Sequence, residues 1–146
     1  CDLLYTDGHE PAATVALARE ARRRGLPVVM DAGSVREGSD EVVAACTDVI
    51  SSRGFAPALA GCDDAATALL ELRRRGPRRV AMTFGQDGVW ALDPQPVGVP
   101  AFQVPAVDTT GAGDVFRDRV LRPGGAPAQV LPRVENRVLG LRNAGP

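Results

Sequence analysis

The segment VDTTGAGDVF at residues 107–116 holds three small residues in a row, Gly111, Ala112 and Gly113. Small residues allow a backbone to approach a ligand closely. The Asp and Thr residues before them favour a turn and a helix start, and apolar residues follow. We therefore predict a helix that begins near Ala112. Its first N–H groups and the positive end of its dipole suit a phosphate or a developing oxyanion.

The carboxylate of Asp114 falls in the first turn of this predicted helix. A carboxylate repels phosphate, so it is a poor choice for phosphate binding alone. It is well suited to take a proton from a hydroxyl group that attacks a phosphate. The segment therefore predicts phosphoryl transfer, with Asp114 as the base. The alternative is an ordinary glycine-rich turn before a helix, which seldom needs this whole string.

Short apolar runs at residues 3–5, 27–30 and 48–50 are typical of buried parallel strands. Amphipathic patterns at residues 12–24 and 65–75 predict helices along the same part of the chain. Both patterns end in arginines, which suit the negative end of a helix dipole. A strand–helix–strand unit of this kind forms a right-handed parallel crossover. Ligands of such sheets bind beyond the carboxyl ends of the strands.

A different pattern follows at residues 79–92, where two apolar runs flank the sequence GQDG at residues 85–88. Two apolar runs around a glycine-containing turn predict a β-hairpin. The proline-rich segment after this hairpin contains strand-like pieces at residues 97–99 and 102–104. It leads the chain into the segment at residues 107–116.

Composition and charge narrow the possible function classes. The chain has 146 residues, of which 45% are hydrophobic and 24% charged, and its formal net charge is −1. This composition fits one globular domain, and the charge gives no support for nucleic-acid or anionic membrane partners. No apolar run approaches the roughly 20 residues of a membrane span. The three cysteines form neither a metal motif nor a disulfide framework, so we expect a cytoplasmic protein.

The string DTTGAGDVF at residues 108–116 resembles the C-terminal signature of the PfkB, or ribokinase-like, carbohydrate kinases. The match is long and nearly uninterrupted. The resemblance implies ATP and Mg²⁺ as cofactors and a small-molecule sugar as substrate. It makes Asp114 the catalytic base and assigns the anion hole to the backbone of Gly111, Ala112 and Gly113. It also places Asp108 near the substrate or phosphate.

The predicted hairpin turn resembles a second family signature, a Thr-x-Gly-x-x-Gly loop that borders the nucleotide. The resemblance makes Thr83, Gly85 and Gly88 candidate nucleotide-binding residues, together with Thr110 of the main motif. Asp31 follows the second predicted strand and corresponds to a loop near the family's active-site cleft. A plain turn or capping role is an equal alternative for Asp31.

The resemblance also implies a ribokinase-like three-layer α/β/α fold with a mainly parallel sheet. We expect it to be incomplete here, without the N-terminal part and the lid. Residues 1–116 would be the C-terminal part of the kinase domain. Residues 117–146 would be an atypical tail rich in Arg, Pro and Gly, with six arginines and two acidic residues. We interpret this tail as frameshifted near Phe116 or poorly ordered, which the coding DNA would test.

The end of the third predicted strand departs from the family pattern. Many members carry an Asn-x-x-Glu or Ser-Glu motif there, which helps to organise magnesium and phosphate. This chain has Arg53 where one alignment puts the glutamate and Phe55 where another puts it. The departure leaves the metal ligands unknown and puts normal metal handling in question.

The leading prediction is ATP-dependent phosphorylation of a sugar hydroxyl, impaired in this chain because the family's N-terminal part supplies most of the sugar site. The alternative is a catalytically inactive α/β fragment or pseudo-kinase that at most binds nucleotide. Such a chain would work as a homo-oligomer or with a missing N-terminal half. A dinucleotide-binding Rossmann domain is disfavoured, because its glycine motif should follow the first strand.

Overall fold

The fold is known from a computed structural model, which describes residues 1–105 and 108–121. In this part of the chain a six-stranded sheet has its strands in sequence order. The strands are β1 (Leu4–Thr6), β2 (Val28–Ala32), β3 (Asp48–Ser52), β4 (Arg79–Thr83), β5 (Val89–Asp93) and β6 (Gln95–Val99). β1 to β4 are parallel, whereas β5 and β6 each pair antiparallel with the strand before. The predicted α/β fold with a mainly parallel sheet is confirmed.

The helices of the described residues begin and end at residues suited to those positions. They are α1 (Pro11–Arg23), α2 (Ser39–Ala45), α3 (Phe55–Ala60), α4 (Ala65–Arg74) and α5 (Ala112–Leu121). Pro11 starts α1, since its fixed φ is already helical. Gly25 follows the end of α1 with a φ of +74°, which glycine adopts readily. The Asp64 carboxylate caps α4 by accepting the N–H of Thr67 at 2.8 Å.

Helices lie on both faces of the sheet. Alternate residues of a strand point to opposite faces, and β4 illustrates the consequence. Val80 and Met82 belong to the main core, which β2 to β4 form with α1 to α4. Ala81 faces the other way and packs with Phe116 of α5. The predicted three-layer α/β/α arrangement is therefore present in this part of the chain.

The helix α3 and one predicted strand differ from the sequence prediction. α3 has no sequence signal, because its six residues are too few for a helical period and include Pro57. Pro57 lies in the first turn, where a missing N–H costs no helical hydrogen bond. The strand predicted at residues 102–104 is wrong, since this segment is irregular. Pro100 and Pro105 flank it and cannot donate to a sheet ladder.

The expectations for the C-terminal part lie mostly outside the described residues. The helix predicted near Ala112 is present, and its backbone runs through Leu121. The frameshift and the fold of the tail concern mainly residues 122–146, which lie outside the described ranges. The predicted boundary between the kinase part and the tail, at residues 116 and 117, stays a prediction. No helix in the described ranges has the length and apolar character needed to cross a bilayer.

Candidate active site

The carboxyl ends of β2, β3 and β4 meet at one edge of the sheet. Ala32 pairs with Ser51, and Ser52 pairs with Thr83. The Ser52 hydroxyl donates to the carbonyl of Gly33 at 2.6 Å, just past the end of β2. The Thr83 hydroxyl donates to the carbonyl of Ser51 at 3.3 Å. These bonds hold the three strand ends side by side, at the edge where parallel sheets bind ligands.

The loop after β4 places two glycines in different surroundings. The N–H of Phe84 donates to the carbonyl of Gly88 at 2.8 Å, which closes the loop around a 3₁₀ turn at Gly85–Asp87. Gly88 has a φ of +100°, and a Cβ there would lie 2.1 Å from the carbonyl oxygen of Val99. Gly85 has a φ of +59° and no heavy atom within 4 Å of such a Cβ. Gly88 is therefore required by packing, whereas Gly85 leaves open space.

The segment before α5 is held by a local hydrogen-bonded turn. The Asp108 carboxylate accepts the N–H of Thr110 at 2.8 Å, and the carbonyl of Thr109 accepts the N–H of Ala112 at 3.1 Å. The backbone N–H of Thr110, followed by its hydroxyl, lowers the pKa of Asp108 below its ordinary value. Gly111 has a φ of +77° with open space around it. Asp108 is thus an ionised residue that shapes the loop.

The start of α5 is fixed to the sheet at one side and open at the other. Phe116 is half-buried and packs against Ala81 of β4 and Ala91 of β5. Asp114 lies in the first turn of α5 and is exposed. The N–H of Val115 donates to the carbonyl of Gly111 at 3.0 Å, which starts the helical hydrogen bonds. The sequence therefore predicted correctly that a helix begins near Ala112.

Asp31 lies within β2, whereas the sequence placed it just past the strand. The Tyr5 hydroxyl donates to its carboxylate at 3.0 Å. Asp31 is paired with Ile50 of β3, which in turn is paired with Ala81 of β4. Paired residues share one face of a sheet, so Asp31 lies on the face that carries α5. The structure thus places Asp31 on the same side of the sheet as Phe116.

The two positions that could replace the family's glutamate have opposite environments. Phe55 is fully buried at the start of α3 and belongs to the main core, so it cannot meet a ligand. Arg53 is exposed, with its guanidinium carbon 5.4 Å from the centroid of the Phe84 ring. Its Nη1 lies 3.7 Å from Oδ2 of Asp87. Of these two residues, the one that faces solvent is therefore the cationic Arg53.

Arg53 also lines an open cleft of about 580 Å³. The cleft lies between the end of β3, α3, the start of α4 and the ring of Phe84. Sequence reasoning missed it, because two of its walls belong to α3 and to the turn after it. The only sequence sign was the departure from the family pattern at residues 53–55.

Apart from Asp31, the sequence-predicted site residues form two groups that rest on the same strands. Thr83 at the end of β4 and Gly85 and Gly88 in the loop after it lie next to Arg53. Residues 108–114 form the turn before α5 and the first residues of that helix, which Phe116 attaches to β4 and β5. Both groups therefore depend on the antiparallel part of the sheet. Among the described residues no group of three or more His, Cys, Asp or Glu side chains could hold a metal ion.

Comparison with known proteins agrees with this arrangement. Residues 2–117 match the family model described as pfkB family carbohydrate kinase. A deoxyribokinase from Salmonella typhi is 31% identical in an alignment of 124 residues, which covers 80% of this chain and 40% of that protein. The chain therefore spans less than half of the length of that relative.

Solved structures share the fold. A putative ribokinase from Agrobacterium tumefaciens has a TM-score of 0.75 at 27% identity, covering 88% of this chain and 45% of its own. Aminoimidazole riboside kinase from Salmonella enterica, solved with aminoimidazole riboside and an ATP analog, has a TM-score of 0.67 at 26% identity, covering 85% and 47%. The family match covers most of the chain, and this protein belongs to the pfkB family of carbohydrate kinases.

Proposed function

We propose that this chain carries the nucleotide-binding and proton-accepting part of a kinase that transfers the γ-phosphoryl group of ATP to a sugar hydroxyl. One observation carries the proposal. A hydrogen-bonded turn, a left-handed Gly111 and an exposed Asp114 follow one another at the start of a helix that Phe116 attaches to the sheet. An exposed carboxylate in the first turn of a helix, close to the open backbone at Gly111, suits proton removal next to a phosphate.

In this proposal Asp114 accepts the proton of the attacking sugar hydroxyl. Backbone N–H groups of Gly111 to Gly113 stabilise the charge that develops on the transferred phosphoryl group, where preorganised donors act most strongly. The N–H of Ala112 already donates to the carbonyl of Thr109, so it adds mainly to the rigidity of the loop. Asp108 acts by shaping the turn before α5. Asp31 lies near the substrate, on the face of the sheet that carries α5.

The nucleotide would lie along the loop after β4. Gly85 has open space where a ligand can approach the backbone, and Thr83 stands at the end of the strand beside it. Thr110 would contact the nucleotide from the α5 side. The Salmonella enterica relative was solved with an ATP analog, which supports ATP as the phosphoryl donor.

Magnesium is the second cofactor that the family implies. In phosphoryl-transfer sites Mg²⁺ binds through one or two carboxylates and the phosphates themselves. The end of β3 offers the cationic Arg53, whose charge repels a metal ion, and no cluster of three or more potential metal ligands occurs in the described ranges. The Arg53 position therefore does not fit a protein-held magnesium ion. We therefore propose that Mg²⁺ accompanies the nucleotide phosphates only.

The substrate class and the assembly in which the chain works are also proposed. The relatives are a deoxyribokinase, a ribokinase and an aminoimidazole riboside kinase, which supports a small sugar or sugar-containing substrate. Because the chain spans less than half of their length, we propose weak turnover unless a second copy or an N-terminal half completes the site.

The free thiols of Cys1, Cys46 and Cys62 support a reducing cytoplasm as the location of the protein. The near-neutral net charge gives no support for a nucleic-acid partner, and we propose none.

The experiment combines calorimetric ATP binding with a kinase assay on a panel that includes ribose and deoxyribose. We expect ATP to bind, with any turnover lost in Asp114→Asn while binding is kept. Absence of nucleotide binding at millimolar concentration would overturn the proposal. ATP binding without turnover in the wild type would favour the second candidate, a nucleotide-binding pseudo-kinase.

A further inference from the structure

The cleft beside β3 contains a cation that the proposed mechanism does not use. Arg53 lines the cleft from the end of β3, and the ring of Phe84 borders it from the end of β4. Phe84 directly precedes Gly85, the open position of the proposed nucleotide loop. The cleft and the loop therefore adjoin. Asp63 is the acidic side chain in the lining, on the α4 side.

The guanidinium of Arg53 is oriented but weakly paired. Its carbon lies 5.4 Å from the centroid of the Phe84 ring, within the range of a cation–π contact. Its pair with Asp87 spans 3.7 Å, and the two side chains are 68% and 58% exposed. Exposed ion pairs of this kind contribute little. A phosphate, which carries more charge and accepts two parallel N–H bonds, would readily replace the Asp87 carboxylate.

The same cation opposes a divalent ion at this edge. A positive guanidinium raises the cost of placing Mg²⁺ next to it by simple Coulomb repulsion. Ser51 and Ser52 use their hydroxyls on neighbouring carbonyls. The charge of a phosphate bound at the end of β3 would therefore be balanced by the Arg53 guanidinium and not by a metal ion.

We propose that Arg53 binds a phosphate group of the nucleotide at the mouth of this cleft, so that nucleotide binding to this chain does not require a divalent cation. The inference rests on the proposed function, because it takes the loop after β4 as the nucleotide site. Asp87 is the competing partner that holds the guanidinium when no nucleotide is bound.

Isothermal titration calorimetry on the whole chain, with EDTA and with Mg²⁺, tests the proposal. The probes are ATP, inorganic pyrophosphate and adenosine. We expect ATP to bind in EDTA within about threefold of its affinity in Mg²⁺. Arg53→Ala should weaken ATP and pyrophosphate binding by about tenfold or more, because it removes a charge-assisted contact. Adenosine binding should not change, since adenosine has no phosphate.

Two further variants test whether the change in affinity depends on charge. Asp87→Asn should tighten ATP binding about two- to threefold, because it removes the competing carboxylate. Arg53→Gln keeps most of the side-chain stem and should lose phosphate affinity as Arg53→Ala does. The matched control is Arg23→Ala, an arginine of the α1 end that is 76% exposed and pairs with Glu20. It should leave all three affinities unchanged.

The outcomes separate this inference from the proposed function. ATP binding that is unaffected in both Arg53 variants, or that requires Mg²⁺ in the wild type, overturns the inference and leaves the proposed function in place. An equal loss of adenosine and ATP binding also overturns it, since Arg53 would then shape the cleft for the base. A wild type that binds no nucleotide in either buffer overturns the proposed function itself.

Discussion

Two glycines in one loop allow the packing and ligand roles of that loop to be separated. Gly85 and Gly88 both have positive φ angles, of +59° and +100°. A Cβ at Gly88 would lie 2.1 Å from the carbonyl oxygen of Val99 and 2.8 Å from the N atom of Ala101. A Cβ at Gly85 would meet no heavy atom within 4 Å. We therefore expect Gly88→Ala and Gly85→Ala to differ sharply in stability.

The expected magnitudes follow from conformation and contact. At Gly85 an alanine costs about 1–2 kcal/mol of backbone strain and regains about 0.4–1 kcal/mol through a less flexible unfolded chain. The free energy of unfolding should fall by about 1 kcal/mol. At Gly88 the backbone conformation is close to a glycine-only region, which adds about 1–3 kcal/mol. Overpacking against backbone atoms adds about 1–3 kcal/mol. The loss at Gly88 should reach about 3–5 kcal/mol.

Urea denaturation followed by far-UV circular dichroism measures both losses, and calorimetric ATP binding is recorded on each folded variant. Gly85→Ala should unfold near the wild-type midpoint yet bind ATP more weakly, because its methyl group projects into the proposed ligand space. Equal destabilisation by the two substitutions would refute the packing argument. Wild-type ATP affinity in Gly85→Ala would refute the assignment of Gly85 to the nucleotide.

Three further predictions concern buried or capped groups. Arg79→Ala should lower the free energy of unfolding by about 3–5 kcal/mol in urea denaturation, because it leaves the buried Asp48 carboxylate without its ion-pair partner. Cys46 should resist iodoacetamide at pH 8 until the chain unfolds, since burial, with the charge of Asp48 second, raises its pKa to about 12. The hydroxyl and then the N–H of Thr67 lower the pKa of Asp64 below 3.8. The stability that Asp64 adds should be complete above pH 3.8 and disappear as the pH falls through the lower folded value, a titration that Asp64→Asn should remove.

The alternation of apolar runs and amphipathic patterns was sufficient to predict most of the fold. Three parallel strands and the hairpin follow from these patterns, because buried parallel strands are apolar throughout and the turn contains Gly85 and Gly88. The segment at residues 102–104 misled the prediction. Its apolar residues resemble a strand, but prolines at both ends remove the donors that a ladder needs.

The candidate site was only partly predictable, for a physical reason. Local motifs fix local geometry, so the turn at Asp108 and the helix start at Ala112 could be inferred from residue types. The cleft beside Arg53 depends on tertiary packing, in which Phe55 enters the core and residues of α3 and α4 line the space beside the strand end. No period or motif encodes that packing. The roles of the site residues stay predictions until the binding and activity experiments are made.

Phe116 explains why the two loops of the candidate site belong together. It packs on Ala81 and Ala91, which face each other across β4 and β5. The register of this pair is set by the loop at residues 85–88, because turn length fixes hairpin register. Close-packed interiors respond to small changes, so any change of register in the hairpin would also move the helix that carries Asp114. In the proposed function the nucleotide and Asp114 must keep a constant spacing, and a shared support of this kind would supply it.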